Sequence, residues 1–294
     1  MDGKPSLGFI GLGVMGTPMT GRFLDAGYTV SVWNRSPEKT ATLVERGATR
    51  ASSPADIART SDIVMMCVTD TAAVAEAALN DSGLCKGSDG ATVIVDFSSI
   101  DPVETRRIAS TIRDTCGAAW VDAPVSGGVP AAEQGSLVVM AGGEDEDIER
   151  IRPVVEHVAQ RLTHMGPSGA GQITKVCNQM IVGCTIATVA EALKLAADNG
   201  VAATKLPECL AGGFADSTIL QNHARRMAEG NLSPRGHATT MLKDMDIACT
   251  TAQRSRTVVP MTALTTQLYR LLVAQEHGTL YQVGLMRLYA DGPL

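Results

Sequence analysis

Gly11, Gly13 and Gly16 follow the apolar run Leu7 to Ile10 in the spacing G-x-G-x-x-G. That spacing can hold the pyrophosphate of a dinucleotide. Gly11 makes the turn, Gly13 lets the backbone approach the phosphates, and Gly16 allows close helix packing. Leu12, Val14 and Met15 fill the loop, and the helix N-terminus offers N–H groups and a positive dipole end to an anion. The same glycines also suit a plain strand-to-helix turn. The context favours the dinucleotide, because a strand precedes the motif, a helix follows, and a second strand ends at Trp33. An NAD site places an acidic side chain after that second strand, whereas this chain has Asn34, Arg35 and Ser36. An arginine beside a hydroxyl suits a ribose 2'-phosphate, so NADP is the preferred cofactor. NAD remains possible, with Arg35 then a solvated surface residue.

Three later segments carry polar groups suited to a small anion: "DAPVSGG" (122–128), "GAGQITKVCNQ" (169–179) and "LKDMDIA" (242–248). The first reads as a strand running into a small-residue loop. There Ser126, Gly127 and Gly128 can aim backbone N–H groups and one hydroxyl at a carboxylate, or make an ordinary glycine turn. In the second, Lys175, Asn178 and Gln179 stand at i, i+3 and i+4 and share a helix face. Lys175 reads either as a lysine whose stem lies along the helix surface or as a group that exchanges a proton in a buried site.

The elements that must position these residues divide the chain in two. Strand-like runs "LGFIG", "YTVSVWN", "DIVMMCV" and "ATVIVDF" alternate with helices such as Thr17 to Ala26 and Pro37 to Arg46, the signature of parallel β-α-β units. "AAWVDAPV" and "GSLVVMAGG" are expected to extend the same sheet, before a helix from Glu144 towards His157. The expected fold is therefore α/β: a Rossmann-type doubly wound parallel sheet in a dinucleotide-binding domain over 1–167, then a second, all-α domain over 168–294. The second domain, for substrate binding and oligomerisation, begins with a long interdomain helix over 171–199, roughly 40 Å in length. Its central "MIVGCTIATVA" is apolar all round, which predicts burial on every side. A membrane span is the competing reading, but the apolar stretch is short and closed by Glu191 and Lys194. Further helices are expected at Lys205 to Ala211, Thr218 to Glu229, His237 to Arg254 and Met261 to His277.

Composition narrows the function classes. The 294 residues are 45% hydrophobic with a formal net charge of -6, and no basic run could neutralise several phosphates. Only 3% are aromatic, so base-stacking platforms are not expected and the core must be aliphatic, with 13 methionines to fill gaps. Nucleic acid and membrane partners are therefore not expected. Seven scattered cysteines without C-x-x-C spacing, and five histidines without a ligand-spaced pair, point to a reducing compartment and no metal site. The N-terminus lacks the basic start and cleavage site of a signal peptide, so a cytoplasmic protein is expected. A helix buried all round needs partners that a domain of this size does not supply alone, which predicts a homodimer or homotetramer.

The four motifs in this order resemble the β-hydroxyacid dehydrogenase family over essentially the whole chain. That family includes 3-hydroxyisobutyrate dehydrogenase, tartronate semialdehyde reductase (2-hydroxy-3-oxopropionate reductase) and glyoxylate/succinic semialdehyde reductases. The resemblance implies that Ser126, Gly127 and Gly128 hold the substrate carboxylate. It also makes Lys175 the general acid/base that exchanges a proton with the reacting oxygen while hydride moves at nicotinamide C4. An ordinary lysine pKa of about 10.4 would favour the charged form at neutral pH, and so reduction over oxidation, unless burial lowers the value. By the same resemblance, Lys243 closes over the cofactor, Ser99 sits near the nicotinamide ribose, and Cys67 and Val68 correspond to cofactor-contacting positions. "AGGFADSTILQ" (211–221) resembles the tartronate semialdehyde reductase segment, with Asp216 and Ser217 as substrate-side contacts or, equally, helix caps.

The chain departs from the family pattern at Arg235-Gly236-His237, where the family often has an aromatic residue, and in "HGTLYQVGLMRLY" near the C-terminus. Both regions shape the substrate pocket in the family. The expected function is NADPH-preferring reduction of a small carboxylated aldehyde, tartronate semialdehyde to D-glycerate first. The alternatives are oxidation of 3-hydroxyisobutyrate or another β-hydroxy acid, reduction of glyoxylate, succinic semialdehyde or an imine, and a non-catalytic dinucleotide-binding module.

Overall fold

Short runs of Leu, Ile, Val and Met, each followed by a glycine or polar turn, form the centre of the first half in this computed structural model. The structure describes residues 3–232 and 236–289, so Arg235 lies outside the described residues. A six-stranded sheet has the order β3-β2-β1-β4-β5-β6, and every pair in it is parallel. Its strands are β1 (Leu7–Ile10), β2 (Val30–Trp33), β3 (Thr49–Arg50), β4 (Ile63–Met66), β5 (Val93–Asp96) and β6 (Ala119–Asp122). The helices between and after them are α1 (Gly16–Asp25), α2 (Ala41–Glu45), α3 (Pro54–Arg59), α4 (Thr71–Leu79) and α5 (Pro102–Cys116). β1, β4 and β5 are buried along their whole length, as strands covered by helices on both faces must be. Phe9, Met65 and Val95 face one apolar cluster while Ile10, Val64 and Ile94 face another, which is the two-residue alternation of a strand between two helix layers. This is the doubly wound Rossmann arrangement.

The sheet ends earlier than the sequence suggests. "AAWVDAPV" is not one strand, and "GSLVVMAGG" does not extend the large sheet. β6 stops at Asp122, and β7 (Val125–Ser126) pairs antiparallel with β8 (Leu137–Ala141), which pairs in parallel with β9 (Ala159–His164) in a separate three-stranded sheet. Pro124 lies at the break, where its missing N–H cannot continue a ladder. α6 (Gly128–Gln134) and α7 (Asp145–Val155) connect the strands of the small sheet. The expected helix over 37–46 is divided into a 3-10 turn, Pro37–Thr40, and α2.

The chain divides into two compact units, Met1–Lys175 and Val176–Leu294. The division falls inside the long helix α8 (Ala170–Asp198) rather than before it. Among the described residues the second unit contains no further strand. It is built from α9 (Leu206–Leu210), α10 (Arg225–Ala228), α11 (Ala238–Ser255) and α12 (Pro260–Ala274) with short 3-10 and π turns. A π turn at Leu220–Ala224 interrupts the helix expected over 218–229.

α8 is long and apolar enough to cross a membrane by length and composition alone. In the second unit Ile186, Ala190 and Leu193 pack with Met241, Met245, Tyr269 and Leu272. The expected burial on every side is not found in the single chain, because these helices cover only one flank. Ile181 and Leu195 are both 67% exposed, and with Thr188 they stand at seven-residue spacing on one stripe.

Candidate active site

The glycines of the first loop do different work. Gly11 has φ +93, and a Cβ there would collide with the carbonyl of Cys67. A Cβ on Gly16 would collide with the Gly11 carbonyl and stand 2.9 Å from the Phe9 ring. Protein packing alone accounts for both. At Gly13 a Cβ would meet nothing within 4 Å, and its φ lies outside the left-handed region. The fold does not require glycine at 13, whereas a ligand lying against the loop does. No side chain caps α1 at Met15, which leaves the helix N-terminus open to an anion. Leu12 is buried and Val14 is 72% exposed.

Asn34 ties the loops after β1 and β2 together. Its Oδ1 accepts from the Leu12 N–H at 2.8 Å, and its Nδ2 donates to the Ser36 carbonyl at 2.9 Å. Arg35 is exposed and makes no ion pair or hydrogen bond among the described residues. The Ser36 hydroxyl does not cap the turn that follows. A free guanidinium beside a free hydroxyl fits a 2'-phosphate. The open face of Gly13, the uncapped α1 and these two groups together fit a nicotinamide dinucleotide.

The carboxyl ends of the other strands are bound to the same region. The Cys67 N–H donates to the Ile10 carbonyl at 2.9 Å, and the Val68 N–H donates to Ser98 Oγ at 2.9 Å. Ser99 is half-buried beside that buried serine. The segment Ser126-Gly127-Gly128 leaves β7 with Gly127 at φ +125 and Gly128 at φ +67, both exposed. Lys175 reaches this segment from the start of α8. It is 9% exposed, and its Nζ donates to the Val125 carbonyl at 2.8 Å, one residue before Ser126. Ammonium and candidate carboxylate loop are thus brought together within the first unit.

Sequence reasoning missed two residues that hold this arrangement. Asp122, wholly buried at the end of β6, caps α8 from a distance. One carboxylate oxygen accepts from the Gly169 N–H at 2.7 Å and the other from the Gln172 N–H at 2.8 Å. The second is Gln172, which stands one turn before Lys175. Its Nε2 donates to the Ser98 carbonyl at 2.8 Å and its Oε1 accepts from the Ile100 N–H at 3.1 Å. A polar residue three positions before a lysine on an otherwise apolar helix was the available signal.

Burial pushes the Asp122 carboxyl from 3.8 up to about 6, against the opposing pull of its backbone donors. A folded-state value above the ordinary one means that the stability Asp122 contributes is fully present below pH 4 and lost as pH rises through 6. Asp122→Asn removes that titration and one of the two cap bonds, at a cost of about 1–3 kcal/mol. Urea unfolding from pH 4 to 7 is expected to show the stability of wild type relative to the variant falling with pH. A difference independent of pH would contradict the assignment.

The other expected site residues lie in the helical unit. Asn178 Nδ2 donates to Gln179 Oε1 at 2.8 Å, and Gln179 Nε2 donates to Asp244 Oδ2 at 2.6 Å. Lys243 Nζ stands 3.2 Å from Asp244 Oδ1. Asp244 therefore links Gln179 to Lys243, and both polar ends of the Gln179 amide are engaged. Asp216 accepts from the Gly212 N–H and from Gln221 Nε2, which hold its carboxyl below the usual range. Ser217 Oγ accepts from the Leu220 N–H at 3.0 Å, a helix cap. The Ser217 bond is that of a helix cap, whereas the Asp216 bonds join the turn at Gly212 to the Gln221 side chain.

Known proteins carry the same design. The family model described as the NAD binding domain of 6-phosphogluconate dehydrogenase matches residues 6–166. A second, described as the NAD-binding of NADP-dependent 3-hydroxyisobutyrate dehydrogenase, matches residues 169–289. The chain belongs to the β-hydroxyacid dehydrogenase family. It is thus an NAD(P)-dependent oxidoreductase. Escherichia coli 2-hydroxy-3-oxopropionate reductase is 36% identical over 281 residues, covering 94% of this chain and 96% of that one. The NAD-dependent L-serine dehydrogenase of Pseudomonas aeruginosa is 35% identical over 279 residues, 92% of this chain and 93% of that one. Among solved structures, Mycobacterium tuberculosis 3-hydroxyisobutyrate dehydrogenase with L-serine superposes with a TM-score of 0.89 at 25% identity, covering 98% of this chain and all of that one. This β-hydroxyacid dehydrogenase shares its fold and cofactor class with relatives whose named substrates differ.

Proposed function

We propose that the protein reduces a small carboxylated aldehyde with NADPH, and that tartronate semialdehyde, giving D-glycerate, is its substrate. The observation that carries the reaction type is the buried Lys175 amine bonded to the Val125 carbonyl, at the residue that precedes Ser126, Gly127 and Gly128. The bound nicotinamide supplies the hydride. Lys175 Nζ, charged, hydrogen-bonds the aldehyde oxygen and delivers the proton that makes it a hydroxyl. The Ser126 hydroxyl and the exposed backbone of Gly127 and Gly128 hold the substrate carboxylate and so orient the carbonyl. Ser99 contacts the nicotinamide ribose, and Cys67 and Val68 line the cofactor. Asn178 contacts the substrate, and Lys243 keeps the place over the cofactor that the family resemblance gives it.

The named activity of the Escherichia coli relative supports tartronate semialdehyde as substrate. Oxidation of a β-hydroxy acid such as 3-hydroxyisobutyrate or L-serine is the second reading, favoured by the activities named for the other two relatives. Comparing kcat/KM for tartronate semialdehyde reduction with that for oxidation of those two acids decides between them. The proposal expects the aldehyde to lead by at least about tenfold, and the reverse order overturns it. The exposed stripe on α8 supports a homodimer or homotetramer, which light scattering at micromolar concentration tests.

NADPH preference rests on the free guanidinium of Arg35. Arg35→Ala is expected to raise the Kd for NADPH about tenfold, the loss of one charge-assisted pair with phosphate, and to leave NADH unaffected. Fluorescence titration with both cofactors reads this directly. An equal effect on both, or none, removes Arg35 from the 2'-phosphate site.

A further inference from the structure

We propose that Gln172 is a positioning residue that fixes the nicotinamide end of the cofactor relative to Lys175. The inference deepens the reductase reading and rests on it for the role of Ser99. Gln172 is 1% exposed, and it accounts for both hydrogen-bonding ends of its amide within one short segment. The Ser98 carbonyl and the Ile100 N–H flank Ser99, so the amide grips the backbone on either side of that residue. A two-point clamp on adjacent backbone groups removes the rotation that a single bond would leave.

The clamp is anchored at its other end to the catalytic helix. The Gln172 N–H donates to Asp122, which also holds the Gly169 N–H, so the first turn of α8 is fixed to the end of β6. Lys175 lies three residues further on, on the same face of α8. Ser98 carries the connection onwards: its N–H donates to Asp96 Oδ1 at 2.9 Å and its hydroxyl accepts from Val68. One buried side chain thus joins the helix bearing the proton donor to the loops after β4 and β5. A shift of about 1 Å between reacting groups can cost about 100-fold in rate, so such a joint has a kinetic consequence that packing alone does not.

Gln172→Met keeps the length and volume of the side chain and removes both hydrogen bonds. Gln172→Glu keeps the acceptor for Ile100 but turns an acceptor towards the Ser98 carbonyl. Binding of NADPH is compared with binding of 2',5'-ADP, which carries the adenosine half without the nicotinamide. The expected result for Gln172→Met is about tenfold weaker NADPH binding with 2',5'-ADP unchanged. In turnover, kcat is expected to fall about 10- to 100-fold with aldehyde KM little altered, and Gln172→Glu, whose buried carboxyl faces the Ser98 carbonyl, to fall at least as far.

Equal weakening of both ligands would show a general structural role and overturn the proposal, as would wild-type values for both. Should Gln172→Met fail to fold by circular dichroism, Gln172→Glu carries the same binding comparison. A wild-type protein that reduces no carboxylated aldehyde defeats the reductase reading alone, because the two-ligand comparison needs no substrate.

Discussion

Lys175→Ala is expected to lower kcat about 100- to 10,000-fold, the range for loss of a positioned general acid. Cofactor affinity should stay at the wild-type value, because the bond of the lysine to the Val125 carbonyl places it at the candidate carboxylate loop. Lys175→Arg separates charge from proton exchange. A guanidinium remains charged and still attracts a carboxylated substrate, but it does not give up its proton. The arginine variant is therefore expected to bind substrate and turn over almost as slowly as the alanine variant. Single-turnover rates with preloaded cofactor measure this without interference from product release. Wild-type rates in a folded Lys175→Ala variant would assign the proton transfer to another group.

The second large effect is expected at Gly13. Gly13→Ala should bind NADPH about 100-fold more weakly, about 2.7 kcal/mol, because the added methyl enters the space where the pyrophosphate lies. The free protein should not suffer, since that methyl meets nothing within 4 Å. Replacing glycine with alanine outside the left-handed region even restricts the unfolded chain, worth about 0.4–1 kcal/mol in favour of the fold. Gly11→Ala and Gly16→Ala should behave oppositely and lose stability first, because their methyls meet backbone. Thermal unfolding without ligand, paired with NADPH titration, reads both quantities for each variant. Normal cofactor binding by Gly13→Ala would reduce the loop to a packing feature.

These contrasts explain how much was legible in the sequence. The strands β1, β4 and β5 announce themselves as apolar runs, and the glycine spacing marks the loop that follows β1. Lys175 stands out as an ammonium in an apolar helix. The small sheet did not, because β9 is mostly polar and exposed and Pro124 hides a break inside an apolar run. Asp122 and Gln172 were invisible as functional residues for a different reason. Their partners lie 47 to 74 positions away in the chain, so their roles arise only when the ends of β5 and β6 meet the start of α8. Asn34, read as a cofactor contact, also holds the glycine loop, a role that local spacing does not show. The exposed stripe of α8 follows from a count of partners that composition cannot supply.

The most direct measurement follows a deuterium label through the reaction. NADPH carrying deuterium at both C4 positions is incubated with the purified protein and tartronate semialdehyde, and the glycerate formed is examined by NMR and mass spectrometry. Hydride transfer to the aldehyde predicts one deuterium on C3 of glycerate, appearing at the rate of NADPH consumption and slowed about 100- to 10,000-fold in Lys175→Ala. Deuterium at C2, or no deuterated glycerate from a protein that binds NADPH, would contradict reduction of this aldehyde.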